Sequence, residues 1–477
     1  MQFVIPLSKT GEPLSRQIYM WFRQAILSGT LAAGERLPST RDLAEQARVS
    51  RTVVLLAYDQ LLAEGFVQGV AGSGTYVAEG LGTGKQRRSE TAATVRLSRF
   101  GKFAQGASAK IELPGKREKG LRYDFSYRRL PVEGFPFETW QRILTRRSRT
   151  AGLRTLDYAF PAGSVRLREA IAGHLRRSRA VVCDPEQVII VTGSQQALDL
   201  VARVLLERGD LVVIEEPHYQ GARDAFRAAG ARLHPVEVDE EGLNPAKLPK
   251  RARIAFVTPS HQFPTGTILP VSRRLALLAW AKKAGAVVIE DDYDGEFRYE
   301  GRPVESMQGL DTEGRVIYVG TFSRTIFPAL RIGYLIAPKS VAPALTAGKW
   351  LCDRHTATLE QETLAEFIQT GAYERHLRRA RRLNALRRRA LLEAVNEYLG
   401  DRVQLTGDGS GAHVVLWLRA RVSEEAVIER AAAKDVAVYG IARHFLQRAR
   451  RAGLMLGYSR MREEDIREGV RRLAECW

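Results

Sequence analysis

Five short segments carry residues whose types and spacing suit the binding of a flat, phosphorylated ring. "VIIVTGSQQALDL" sets Gly193, Ser194 and Gln195 between a β-rich run and a helical pattern. Free amides and the positive end of a helix dipole at such a turn make a phosphate seat. "IEEPHYQGA" places Tyr219 on the loop after the next apolar run, where an aromatic ring covers a flat heterocycle. "VTPSHQFPTG" ends a third run in polar residues and a Pro-Thr-Gly turn. "VVIEDDYDGEFRY" ends a fourth in three acids and Tyr293. An acid at this point holds a ring nitrogen protonated and turns the ring into an electron sink. "TFSRTIFPALR" supplies Ser323 and Arg331, both suited to a phosphate. Between those two stands Arg324.

These segments need a frame that brings strand ends together. From Arg122 onward, short β-rich runs ("QVIIV", "LVVIEE", "ARIAFVT", "AVVIEDDY", "RVIYVG") alternate with helical patterns such as "SQQALDLVARVLLE". That alternation predicts an α/β domain over 122–477 with a mainly parallel sheet. From about residue 370 an Arg-rich amphipathic helix, "ERHLRRARRLNALRRRALLEAV", leads into a smaller α+β region with "GAHVVLWL" as a strand. Residues 80–121 are rich in Gly, Ser, Ala, Lys and Arg and read as a flexible basic linker.

Residues 1–79 read differently. "EPLSRQIYMWFRQAILS" puts Leu14, Ile18, Phe22, Ala25 and Ile26 at helical spacing, and Gly29 ends the helix. In "PSTRDLAEQARV" Ser39 is an N-cap with Asp42 in the capping-box position. "SRTVVLLAYDQLLAEG" starts on a second N-cap, Ser50, and stops at Gly65. "FVQGVAGSGTYVAEG" alternates around a Gly-rich turn and predicts a hairpin. Three helices and a hairpin make a winged helix-turn-helix. The N-terminal residues of its second motif helix, Ser50, Arg51 and Thr52, meet base edges and phosphates in a major groove.

Charge agrees with a polyanionic partner. The chain carries a net +19 over its 477 residues. The first eighty residues are neutral overall, so the excess lies behind them, beginning with the linker. No apolar run is long enough to span a membrane, and no secretory leader pattern opens the sequence. Cys183, Cys352 and Cys476 share no metal-ligand spacing and read as reduced thiols of a cytoplasmic protein.

The unbroken pattern LPS-x-R, SR-x-x-V, AY-x-x-L, EG and GSGT resembles the DNA-binding domain of the GntR regulators. The resemblance implies DNA contact by Ser39, Arg41, Ser50, Arg51, Thr52 and Gly74. The five ring-binding segments, in the same chain order, resemble the fold-type I aminotransferases that use pyridoxal phosphate (PLP). Together the two halves resemble the MocR subgroup of GntR regulators. That resemblance implies a multidomain chain: a winged helix-turn-helix, then an aminotransferase-like domain that senses a small-molecule effector. It implies a phosphate seat of Ser194, Gln195, Ser323 and Arg331 and a ring stacked by Tyr219. Asp291 is expected at the pyridine nitrogen, Tyr293 at the phenolic oxygen, and His261 and Gln262 along the ring edge. It also implies double-stranded DNA as partner and a head-to-tail homodimer.

The sequence departs from the family at one decisive place. The family's Schiff-base lysine follows the Ser of "TFS"; here that residue is Arg324. A guanidinium stays protonated and delocalised, so it cannot act as the amine nucleophile. Two carboxylate-gripping arginines of relatives are also absent, with Met455 and Gly221 in their places. The expectation is a regulator with little or no transaminase activity that holds PLP or pyridoxamine phosphate without a covalent bond, if at all. The alternative is a PLP-dependent aminotransferase with a DNA-binding appendage. No metal site is expected.

Overall fold

The computed structural model describes residues 3–8, 10–80, 95–108, 120–127, 134–299, 304–419 and 422–477. It divides into two compact units, residues 1–96 and 97–477.

In the first unit, α1 (Leu14–Leu27), α2 (Thr40–Gln46) and α3 (Arg51–Ala63) pack around Ile18, Phe22, Leu43, Val54 and Leu61, each fully buried. The hairpin β1 (Val67–Val70) and β2 (Gly74–Val77) closes this core with Val67 and Val77. Gly72 and Gly74, at φ of +72° and +123°, let the hairpin turn tightly. The Ser39 side chain accepts from the Asp42 amide at 3.2 Å, as its capping position predicts. Ser50 precedes α3, but its side chain makes no cap bond; the helix start is braced by Arg51, whose Nε donates to Thr40 Oγ1 at 3.2 Å.

The second unit is built on an eight-stranded sheet. Its order is Val188–Val191, Gly333–Ile336, Val316–Thr321, Val287–Asp292, Ile254–Val257, Leu211–Glu216, Arg232–Asp239 and Gly242–Leu243. Gly333–Ile336 runs against both neighbours and Gly242–Leu243 against its one; the strands between run parallel. Val188–Val191 and Ile254–Val257 are buried at every residue, which is why they read as unbroken apolar runs. A second sheet, Val403–Thr406, His413–Leu418, Gly453–Gly457 and Tyr439–Gly440, is antiparallel and forms the smaller C-terminal subdomain. The 27-residue helix Ala372–Tyr398 leads into it, with Leu377, Leu391 and Val395 inward and most of its arginines outward.

The stretch expected as a continuous linker contains a helix, Arg99–Ser108. Its start is capped by Ser98, whose hydroxyl accepts from the Gly101 amide at 3.0 Å. This helix falls in the second unit, so the folded chain resumes before residue 122. The basic residues at 81–94 and 109–119 lie outside the described residues.

Candidate functional site

The carboxyl ends of five sheet strands converge on a cavity of about 400 Å³. Ligands of open α/β sheets bind at this edge, because helix N-termini and loop amides face it. One end of the cavity is the turn after Val188–Val191. Gly193, at φ +104°, opens the helix Ser194–Leu205, so the first-turn amides at Ser194 and Gln195 are free of intrahelical partners. Arg331 folds over this turn, with Nη2 donating to the Thr192 carbonyl at 2.5 Å. A Cβ on Gly193 would stand 3.1 Å from that guanidinium, so the close approach requires glycine. Ser323 lines the same end.

Tyr219 forms a side wall, its ring edge-on to Phe263 at 5.6 Å. Gly221 stands beside it; a Cβ there would meet Gln195 Oε1 at 2.5 Å and the Tyr219 ring at 2.6 Å. The wall is therefore closed at Gly221, with no room for a side chain there.

Asp291, near the end of the strand Val287–Asp292, and Tyr293, just past it, line the cavity. Asp291 is 4% exposed, and its Oδ1 has no hydrogen-bond partner in the protein. Burial, then the nearby Asp292, Asp294 and Glu215 carboxyls, push its pKa up to about 8, while Arg324 pulls the other way. The carboxyl is thus ready to change state when a basic ring nitrogen approaches its free oxygen. The Tyr293 hydroxyl lies 2.9 Å from His261 Nδ1, which is also 2.9 Å from Asp294 Oδ2.

Two expected ring-edge residues do not reach the cavity. His261 sits behind Tyr293, and Gln262 turns into the loop. The Gln262 amide donates to the Pro217 and Phe263 carbonyls at 2.8 Å each, and its oxygen accepts from the Thr265 hydroxyl at 2.7 Å. Gln262 is buried with its amide spent on the protein's own groups, whereas His261 is buried and paired only through Nδ1, its Nε2 having no partner among the described residues. The residues that face the cavity instead include Thr258, Phe263, Tyr127 and His444. Phe263 lies in the "HQFPTG" segment; Tyr127 and His444 arrive from remote parts of the chain with no surrounding motif.

Arg324 also lines the cavity. Its Nη1 donates to the Tyr127 carbonyl, and its guanidinium carbon lies 5.8 Å from the Tyr293 ring centroid. Among the described residues, no lysine lines the cavity. Lys339, the nearest downstream, is exposed and paired with Asp184 at 2.7 Å. Met455 is fully buried in an apolar cluster with Tyr127, Phe263, Val415 and Ile441, so that position offers no cation.

In the first unit, Arg41, Ser50, Arg51 and Thr52 are all exposed at the adjoining starts of α2 and α3, with Ser39 at the α2 cap. Gly74 is exposed in the hairpin turn. Beside it lies Arg36, which the sequence reading passed over. Arg36 bridges to Tyr76, and its Nε would be 3.1 Å from a Cβ on Gly74. Leu55, one turn beyond Arg51, is 39% exposed on the same helix.

Comparison with known proteins agrees with both halves. Residues 14–77 match the bacterial regulatory proteins of the gntR family, and residues 134–473 match aminotransferase class I and II. The probable rhizopine catabolism regulatory protein MocR of Rhizobium meliloti is 38% identical over 98% of this chain and 94% of its own. The pyridoxine biosynthesis regulator PdxR of Corynebacterium glutamicum is 32% identical over 96% and 94%. Among solved structures, the α-aminoadipate aminotransferase LysN of Thermus thermophilus is 32% identical. It superposes at a TM-score of 0.71, covering 78% of this chain and 96% of LysN, and was solved with N-(5'-phosphopyridoxyl)-L-leucine. The kynurenine aminotransferase of Pyrococcus horikoshii, solved with pyridoxamine phosphate (PMP), gives 0.71 at 28% identity, covering 81% of this chain and 96% of its own. A helix-turn-helix ahead of a fold-type I aminotransferase domain defines a class of DNA-binding transcription regulators with a sensor domain. This chain belongs to that class, the MocR-type regulators of the gntR family.

The residues present fit the phosphate and the ring of PLP. The Gly193 turn is open to a phosphate, and the orphaned Asp291 Oδ1 is placed for a ring nitrogen. They do not fit covalent attachment, which requires an amine where Arg324 stands.

Proposed function

We propose that the aminotransferase-like domain binds PLP, PMP or a related phosphate without a covalent bond, and that occupancy tunes DNA binding rather than transamination. The observation that carries this reading is Arg324 lining a cavity that, among the described residues, no lysine lines. PLP supplies an electrophilic carbonyl and an electron-withdrawing ring when bound. This chain's residues supply other things. Gly193, Ser194, Ser323 and Arg331 receive the phosphate, Tyr219 and Phe263 flank the ring, and Asp291 answers its nitrogen. Met455 stands at the position where the family resemblance implies a carboxylate-gripping arginine, which weighs against the catalytic alternative.

DNA contact is proposed for Ser39, Arg41, Ser50, Arg51, Thr52 and Gly74, on the strength of their exposure on adjoining helix starts and the wing. Homodimerisation, head-to-tail as the resemblance implies, is supported by an apolar surface on the second unit. Leu153, Leu156, Tyr158 and Leu351 are each more than 70% exposed, and the Tyr158 ring meets His355 at 6.0 Å. Two chains would present two recognition helices to paired half-sites.

The test is selection of duplexes from a random pool by the full chain, followed by titration of the selected site with and without PLP. Sequence preference with a PLP-dependent affinity supports the reading. Preference that ignores PLP, PMP and pyridoxine phosphate alike contradicts the sensor assignment.

A further inference from the structure

The cavity contains two guanidinium groups of different standing. Arg331 covers the Gly193 turn, where the free amides of Ser194 and Gln195 already favour an anion. A phosphate seated there satisfies that end. Arg324 sits at the other side, against Tyr127 and Tyr293. Its single hydrogen bond to a neutral carbonyl leaves its charge uncompensated by a paired carboxylate: among the described residues it takes part in no ion pair. The neighbouring acid, Asp291, is buried with its free oxygen toward the same space. The aromatic rings of Tyr127, Phe263 and Tyr293 line the same cavity, with the neutral side chains of Thr258 and Ser323. A cation in such surroundings gains strongly from an anion and repels a second cation.

Resting on the proposed PLP-related reading, we infer that the cleft discriminates among ring phosphates by the group they present to Arg324. It selects a carboxylate or a carbonyl oxygen and rejects an aminomethyl group. The reason is bond-by-bond. A carboxylate accepts two parallel N–H bonds from a guanidinium. An aldehyde oxygen accepts one. An ammonium has only donors to offer to a residue that itself has only donors, and it brings a like charge into a half-closed site. A lysine at this position would bind the carbonyl compound covalently and so could not grade these ligands by charge. Arginine can. The selected ligand is thus a planar phosphorylated heterocycle carrying an oxygen-based substituent, either the aldehyde or its oxidised acid.

The test is calorimetric titration of the full chain with four probes: 4-pyridoxic acid 5'-phosphate, PLP, PMP and inorganic phosphate. The expected order is acid, then aldehyde, then amine, with the acid at least tenfold tighter than the amine. Arg324→Gln keeps a hydrogen-bond donor and removes the charge; it should bring acid and amine to within about threefold of each other. PMP binding as tightly as the acid to the wild type overturns this inference and leaves the broader reading standing. Binding of inorganic phosphate with none of the three ring compounds overturns the PLP-related reading itself, and this inference with it. The wild-type ranking alone decides the matter if the variant does not fold.

Discussion

Arg324 donates through Nη1 to the backbone carbonyl of Tyr127 at 2.5 Å. That bond anchors a side chain 197 positions further along the chain to a segment entering the small subdomain. It also keeps the guanidinium beside the Tyr293 ring, inside the cavity. The residue at the proposed Schiff-base position is therefore built into the site, and the consequences of the proposal are open to measurement.

Asp291 should make the ligand-free protein sensitive to pH. Its folded pKa, near 8, lies above the ordinary aspartate value. Between about pH 4 and 8 the folded chain holds a proton that the unfolded chain releases, so this group's contribution to stability falls as pH rises. The slope is at most about 1.4 kcal/mol per pH unit. Asp291→Asn removes it. The variant's melting temperature should gain on the wild type from pH 5 to pH 8, while its affinity for PLP drops. A difference independent of pH would contradict the assignment; Glu290, pushed up to about 7 by burial, titrates in both proteins.

Gly193→Ala should damage the phosphate end. The φ of +104° is strained for any residue with a Cβ, and that Cβ would press on the Arg331 guanidinium at 3.1 Å. A loss of roughly tenfold in PLP affinity, about 1.4 kcal/mol, is expected from fluorescence titration. Unchanged affinity in a folded variant would show that the phosphate sits elsewhere.

Much of this was legible in the chain itself. The helix-turn-helix shows because its caps, apolar stripes and wing glycines are all local features. The strands show because parallel strands buried on both faces read as apolar runs. Ser194, Ser323 and Arg331 follow because each sits at the end of a visible element. Tyr127 and His444 were not legible: long-range folding, not local periodicity, brings them to the cavity. His261 and Gln262 misled for a related reason. A polar residue on a loop reads the same whether it faces a ligand or satisfies the protein's own carbonyls, as Gln262 does. The helix Arg99–Ser108 is short and lies in a basic, Gly-rich stretch, so composition masked it.

Arg51→Ala should weaken binding to the selected duplex by about 1–3 kcal/mol, the range for loss of a specific base or charged contact. Filter binding or anisotropy at fixed salt measures it. An equal loss on random and selected duplexes would assign Arg51 to phosphate contact alone.

Leu156→Asp should shift the protein toward monomer. The residue is 74% exposed within the apolar surface of the second unit. Sedimentation velocity at tens of micromolar compares the variant with the wild type. A wild type that is monomeric under these conditions contradicts the dimer.

Intact mass after borohydride reduction in the presence of PLP tests the central claim most directly. The wild type should carry no phosphopyridoxyl group, because a guanidinium cannot form the reducible bond. Arg324→Lys, which puts an amine into the same cavity, should gain one phosphopyridoxyl mass. It should still not transaminate efficiently, because Met455 offers a substrate carboxylate no partner. A wild-type chain that carries the phosphopyridoxyl mass at a unique lysine would contradict the account.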